Sequence, residues 1–147
     1  MGKVREEEIQ LNQRTPGMVV TDGVADVDSD IIVYQVPAKS QLEIRATDFL
    51  GLFLSADGAT PVEITATSLI TVLWTDAFAR RTEILAQGEY TQFKAMTAAL
   101  EKYFFKGKTK VIPANYRLII RCLSDVVVYE GLTRFTLSVL NVYETIE

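Results

Sequence analysis

A proline-led phrase that occurs twice constrains the fold of this chain more than any other feature. Residues 36–46 read VPAKSQLEIRA and residues 112–122 read IPANYRLIIRC, with five of eleven positions identical. In each copy a proline, which has a fixed φ and no N–H to donate to a sheet, precedes a run of alternating apolar residues. This pattern predicts a β-strand after each proline. If the copies mark equivalent strands of two related halves, we expect those strands in facing sheets; chance recurrence of a common strand opening is the alternative.

Most of the chain after residue 30 carries strand signals. Short runs of β-branched and aromatic residues, separated by Gly, Pro and Asp, predict further strands at residues 31–34, 49–54, 62–67, 69–74, 126–129 and 134–143. The pair Asp57-Gly58 predicts a hairpin turn with a positive-φ residue, and residues 82–86 are compatible with strand or helix. One helix is predicted from Tyr90 to Phe104, stopped by Gly107.

These signals predict an all-β fold, mainly an antiparallel sandwich or jelly-roll-like barrel, with one short helix and an extended N-terminal arm. The arm, residues 1–30, carries seven carboxylates against three basic side chains. Such a composition is typical of a disordered tail. If the arm is ordered, we expect contact with a neighbouring subunit to hold it in place. Residues 31–147 are predicted to form the β-sandwich or jelly-roll-like domain.

Length and charge disfavour several functional classes. A chain of 147 residues with 48% hydrophobic content is long enough for one domain with its own core. Its net charge of −4 opposes binding to nucleic acid or anionic lipid. No run approaches the roughly 20 apolar residues of a membrane span, and the N-terminus lacks a signal-peptide core. The single cysteine, Cys122, lies in an apolar alternation and is predicted to be a buried thiol.

The chain lacks the usual apparatus of catalysis. It contains no histidine, which removes the common proton shuttle, imidazole metal ligands and histidine-dependent triads. It also contains no glycine-rich nucleotide motif, P-loop or nucleophile elbow. A pair of carboxylates distant in sequence stays open as an alternative. We therefore predict a non-enzymatic protein without a cofactor.

Alternating carboxylates suggest one weak calcium candidate, formed by Asp26, Asp28 and Asp30, because calcium sites bring several hard oxygens together. The helix-loop-helix calcium motif next requires glycine and glutamate, where this chain has Ile31 and Pro37. A solvated acidic loop is therefore the favoured interpretation.

A lysine cluster interleaved with aromatic residues follows the predicted helix start; its lysines are Lys94, Lys102, Lys106, Lys108 and Lys110. Such a pattern can bind single-stranded nucleic acid, but a solvated helix end with lysines near the negative end of the helix dipole is favoured. A third interpretation is that the acidic arm of another subunit pairs with this patch. The predicted contact residues are Glu6, Glu7, Glu8, Lys102, Lys106, Lys108 and Lys110.

With its polar arm, its lack of histidine and its proline-led strands VPAKSQLEIRA and IPANYRLIIRC, the chain resembles the decoration, or cement, proteins of tailed-bacteriophage heads. The resemblance implies binding to the outer surface of a capsid lattice, such as one of major capsid protein, and self-association, often as trimers. It also implies a place on the virion surface after synthesis in the host cytoplasm.

The predicted function is accordingly a virion structural protein that stabilises a capsid lattice through its arm and through self-association. One alternative is a β-sandwich module that binds carbohydrate or another ligand, with Trp74, Tyr90 or Tyr116 as stacking platforms. Another is a different virion component, such as a tail or head-completion protein.

Overall fold

The computed structural model describes residues 2–45, 48–94, 98–99 and 109–146, which form two antiparallel sheets. The elements are β1 (Gly2–Asn12), β2 (Met18–Val20), β3 (Ser29–Gln35), β4 (Ser40–Ile44), β5 (Phe49–Ser55), β6 (Leu69–Thr75), β7 (Thr82–Glu89), α1 (Tyr90–Phe93), β8 (Ala98–Ala99), β9 (Lys110–Ile112), β10 (Arg117–Leu123) and β11 (Tyr129–Ile146). The six-stranded sheet has the order β8-β5-β11-β4-β9, with β1 also paired to β11, and the five-stranded sheet has the order β2-β3-β10-β6-β7. No helix in these ranges is long and apolar enough to cross a membrane.

One hydrophobic cluster lies between the sheets. The six-stranded sheet contributes Leu11, Leu42 and Leu137 to it, and the five-stranded sheet contributes Val72 and Ile120, all at most 1% exposed. Burying such side chains removes apolar surface from water, the dominant favourable contribution to folding. The predicted all-β, mainly antiparallel sandwich with one short helix is confirmed.

The two proline phrases form the same turn. The N–H of Ser40 donates to the carbonyl of Pro37, and the N–H of Tyr116 to that of Pro113, both at 3.2 Å. The residue before each of these donors, Lys39 or Asn115, has a positive φ of 64° or 69°, as a turn of type II requires at its third position. The predicted strand follows each turn, β4 after the first and β10 after the second.

The β3–β10 pairing, whose last strand pair is Gln35 opposite Arg117, continues by one step into the two phrases. The N–H of Val36 donates to the carbonyl of Tyr116, and the N–H of Asn115 donates to the carbonyl of Val36, both at 2.8 Å. Because β4 belongs to the six-stranded sheet and β10 to the five-stranded sheet, the copies lie in different layers, as expected. A duplication as the origin of the copies stays a prediction.

The acidic segment at the N-terminus is ordered by its own chain. Eleven consecutive residue pairs join β1 to β11, from Gly2 opposite Ile146 to Asn12 opposite Thr136, and β2 pairs with β3. The expectation that a neighbouring subunit is needed to hold the segment in place is therefore wrong, because main-chain pairing within the chain already immobilises it. The division into an arm at 1–30 and a domain at 31–147 stays a prediction about the assembled state.

The predicted helix is wrong beyond its first turn at the residues that the structure describes there. The helix α1 ends at Phe93, and Ala98–Ala99 pairs with β5 as β8. The N–H of Glu89 donates to the side chain of Gln92 at 2.8 Å, which stabilises a single turn but does not extend it. Of the rest of the predicted helix and its stop, residues 95–97 and 100–107 lie outside the described residues.

The expected strand at 62–67 is reduced to a single bridge between Glu63 and Ser55. The preceding turn uses no positive φ at Gly58; instead the carboxylate of Asp57 accepts hydrogen bonds from the Thr60 hydroxyl and from the N–H of Ala59. These bonds lower the pKa of Asp57, with the Thr60 bond the largest cause. A side-chain-stabilised loop thus replaces the tight hairpin. Residues 82–86, left open between helix and strand, lie in β7.

Candidate assembly surface

The β1–β11 ladder changes character along its length. Leu11 is fully buried, Ile9 packs against the core, and the two lie opposite Leu137 and Val139. From residue 8 back to residue 3 every side chain of β1 is exposed, including the apolar Val4 at 69%. We call residues 3–8 the ribbon edge; it includes the predicted contact residues Glu6, Glu7 and Glu8.

Side chains alternate between the two faces of the ribbon edge, as they do along any strand. Lys3, Arg5 and Glu7 share the face on which Ile9 and Leu11 reach the core, whereas Val4, Glu6 and Glu8 lie on the outer face. The carboxylates of Glu6 and Glu7 have no hydrogen bond or ion pair in the described part of the chain. They are solvated charges at the rim of the six-stranded sheet.

The third carboxylate, that of Glu8, forms an ion pair with Arg45. The two atoms, Glu8 Oε1 and Arg45 Nη2, are 2.9 Å apart, with side chains 80% and 38% exposed. Such exposed pairs contribute at most about 1 kcal/mol. The pair lies in an open concavity of about 420 Å³, whose other lining residues are Ile9, Gln10, Asp48, Ser138 and Val139.

Asp48 is the buried acid of this concavity. Its carboxylate accepts a hydrogen bond of 2.8 Å from the N–H of Arg45. Burial nevertheless raises the pKa of Asp48, because desolvation disfavours the charged form more than this bond and the Arg45 charge favour it. The Glu8 charge acts in the same direction as burial. Sequence reasoning missed Arg45 and Asp48, since their partner Glu8 lies far away along the chain.

Two buried polar atoms near β1 have no hydrogen-bond partner among the described residues, Arg45 Nε and Asn141 Oδ1. Asn141 lies in β11 opposite Glu7 of β1, and opposite Leu42 of β4 on the other side. Unpaired buried polar atoms are rare in folded proteins. Hydrogen bonding of buried polar atoms is therefore less complete beside the ribbon edge than in the core of the sheet.

The lysines that were predicted to receive the arm are only partly described. Lys110 pairs with Glu83 at 2.8 Å, and Lys94 with Glu63 at 3.3 Å. Lys102, Lys106 and Lys108 lie outside the described residues, so their pairing with an acidic arm stays a prediction.

The calcium candidate is not assembled. The carboxylate of Asp30 accepts a bond of 2.6 Å from Nε of Arg121, and this bond is the largest cause that raises the pKa of Arg121. Asp26, at a φ of 61°, donates its N–H to the carbonyl of Ser124, while Asp28 is exposed. Across the described ranges no three acidic or cysteine side chains converge in a way that could hold a metal ion.

The proposed stacking platforms are occupied or buried. Tyr90 is fully buried, and its hydroxyl accepts a hydrogen bond of 3.2 Å from the N–H of Leu54. The rings of Trp74 and Tyr116 pack against each other with centroids 5.1 Å apart. The predicted buried thiol is confirmed, since Cys122 is 2% exposed and burial raises its pKa to about 11.

No protein-family model matches this chain, and no curated protein matches it. Solved structures that match cover almost all of it. VP17, a capsid protein of bacteriophage P23-77, superimposes with a TM-score of 0.65 at 6% identity, covering 99% of this chain and 100% of that one. The complex of VP16 and VP17, the two major capsid proteins of the same phage, gives a TM-score of 0.64 at 6% identity, covering 93% and 98%. The chain has the fold of a phage capsid protein.

Proposed function

We propose that this chain is a non-enzymatic structural protein of a virus capsid. The observation that carries the proposal is the full-length match, in both directions, to capsid proteins of one phage. A fold alone does not fix a function, so two further observations support the choice. The sequence lacks histidine, a glycine-rich nucleotide motif, a P-loop and a nucleophile elbow, and within the described residues the side chains form no metal cluster.

The proposed role is protein–protein contact within the capsid and on the virion. One of the matched structures is a complex of two major capsid proteins, which supports association with a second capsid protein, with further copies of this chain, or with both. The ribbon edge supports the same role, because its solvated carboxylates lie on an outer strand. Charged groups of this kind set specificity and association rate more than affinity.

The narrower prediction was a decoration protein on the outer surface of a lattice, often trimeric. The matched proteins are described as capsid and major capsid proteins, which favours a place in the shell. We keep decoration as the narrower alternative within the same proposal. The ligand-binding module has less support, since Tyr90 is buried and Trp74 packs against Tyr116.

The test is the protein content of purified particles. Cells that express the gene together with its genomic neighbours are lysed, particles are purified on a density gradient, and quantitative mass spectrometry counts the chains. We expect this chain at many copies per particle. Particles that lack it, or contain it only in traces, contradict the proposal.

A variant can then ask whether the ribbon edge makes the contact. Deleting residues 1–30 is unsuitable, because it removes β2 and the buried Leu11. The triple variant Glu6→Gln, Glu7→Gln, Glu8→Gln keeps the strand and removes three charges. Its matched control, Asp26→Asn, Asp28→Asn, Glu130→Gln, removes three exposed charges elsewhere. We expect incorporation to fall for the first variant and not for the control.

A further inference from the structure

The outer edge of β1 is the longest regular sheet edge in the described part of the chain. Its eleven pairs with β11 contain no register shift, whereas β7, the next longest edge strand, carries one where it pairs with β6. The edge strands β2, β8 and β9 have only two or three residues. Proteins protect sheet edges by shortness, bulges, proline or charge. In β1 only charge is present.

Those charges are ordered along the strand. On the face that Ile9 and Leu11 also use, the sequence of charges is positive at Lys3, positive at Arg5 and negative at Glu7. An antiparallel neighbour presents the same order in reverse. The positive end of one β1 strand therefore meets the negative end of another, so the edge is self-complementary.

A two-fold axis perpendicular to the sheet fixes which registers are allowed. Residues directly opposite each other point to the same face, so only residues of the same face can be paired across the axis. With the axis between the two Arg5 residues, Lys3 of each copy lies opposite Glu7 of the other, and the two Arg5 side chains lie opposite each other. Glu7 is then also diagonal to Arg5 of the other copy, within reach of a long side chain.

Neighbouring registers are less favourable. An axis between the two Glu6 residues places Glu6 opposite Glu6, with Glu8 diagonal to it, so four carboxylates, two from each strand, crowd one face. An axis between the two Glu7 residues opposes Glu7 with Glu7 and Glu6 with Glu8. Like charges directly opposite are destabilising. In the Arg5 register each opposed arginine has a diagonal carboxylate, that of Glu7. The opposed glutamates of the Glu6 register have only Val4 and further carboxylates diagonal to them, and the Glu7 register opposes three pairs of carboxylates, so these two registers are less favourable.

We propose that the chain forms a two-fold dimer by antiparallel pairing of the β1 edges, with Lys3 of each copy opposite Glu7 of the other. This dimer rests on the proposed function and makes it more specific, because the partner of the ribbon edge is then a second copy of the chain. New main-chain hydrogen bonds supply the affinity. Lys3 and Arg5 already interact within their own chain, so on dimerisation they exchange one partner for another. Their charges therefore determine the register and orientation of the two strands more than the affinity.

The test uses two charge reversals, each of which should weaken the dimer alone, whereas a mixture of the two variants should form a dimer again. Glu7→Lys places lysine opposite lysine, and Lys3→Glu places glutamate opposite glutamate. When the two variants are mixed, each lysine faces a glutamate again. Sedimentation velocity should show a concentration-dependent dimer for the wild type and a dissociation constant raised at least about tenfold for each variant. The equimolar mixture should return to within about threefold of the wild type.

Controls separate this contact from net charge and from a dimer formed elsewhere. Arg81→Glu and Glu130→Lys reverse exposed charges away from β1 and should leave the dissociation constants unchanged, alone or mixed. Hydrogen exchange of the wild type should slow on dimerisation at β1 amides. A monomeric wild type, a mixture that stays monomeric, or protection confined to other strands overturns the proposal. None of these results bears on whether purified particles contain the chain, so the two proposals fail separately.

Discussion

The two halves of the β1–β11 ladder share one continuous backbone pairing but differ in the burial and charge of their β1 side chains. From Ile9 to Asn12 the strand contributes to the core, and Leu11 is fully buried. From Lys3 to Glu8 the same strand is exposed and charged. Because the ladder is continuous, the difference comes from side chains and not from hydrogen bonding. The buried half fixes the register of the pair, which leaves the exposed half available for contacts with other molecules.

The largest effect should come from the buried half. Leu11→Ala leaves a cavity where the core was filled, and we expect the free energy of unfolding to fall by about 2–5 kcal/mol. Val4→Ala, on the exposed half, should change it by less than about 0.5 kcal/mol. Urea denaturation followed by circular dichroism measures both. Equal losses for the two variants refute the division of the strand into two halves.

An intermediate effect, dependent on pH, is expected where the halves meet. Because burial raises the pKa of Asp48 in the folded protein, the folded state holds its proton more tightly than the unfolded state. The free energy of unfolding therefore falls as pH rises from the ordinary Asp pKa through the folded value. Asp48→Asn removes this pH-dependent loss of stability, and the side-chain oxygen of the asparagine can still accept a hydrogen bond from the N–H of Arg45.

We expect Asp48→Asn to be more stable than the wild type at pH 7, with the advantage shrinking toward pH 3. The gain should be smaller than the loss caused by Leu11→Ala. Denaturation curves across this pH range provide the measurement. An advantage that grows as the pH falls contradicts the assigned direction of the shift.

The smallest effect should come from the ion pair on the outer face. Glu8→Gln removes the partner of Arg45, and both side chains are more than a third exposed. The free energy of unfolding should therefore fall by less than about 1 kcal/mol, and the difference should diminish in high salt. A loss unaffected by salt indicates that the interaction is not the exposed pair described above.

Much of the fold was predictable because its signals are local. Proline before an alternating run predicted both β4 and β10, and β-branched runs predicted β3, β5 and β6. The predicted helix was wrong at Ala98–Ala99, which form β8, because apolar residues at helical spacing also suit a single turn followed by a strand. The strand at 62–67 failed because the carboxylate of Asp57 stabilises a loop that local propensity does not reveal.

The candidate surface was predictable only in part. A run of three glutamates marks Glu6, Glu7 and Glu8 as exposed in any conformation. Their place on a strand paired with β11 could not be predicted, since that pairing joins the two ends of the chain and depends on the whole fold. Arg45 and Asp48 were missed for the same reason. Composition identified the charges, and topology determined their neighbours.

The paired proline turns have a further consequence for how the sequence can change. Both main-chain polar groups of Val36 bond to the second phrase, and they extend the β3–β10 pairing up to the two turns through groups that every residue type except proline possesses. Substitutions that preserve turn geometry leave these bonds intact. Sequence drift can then replace most side chains around them while the architecture persists.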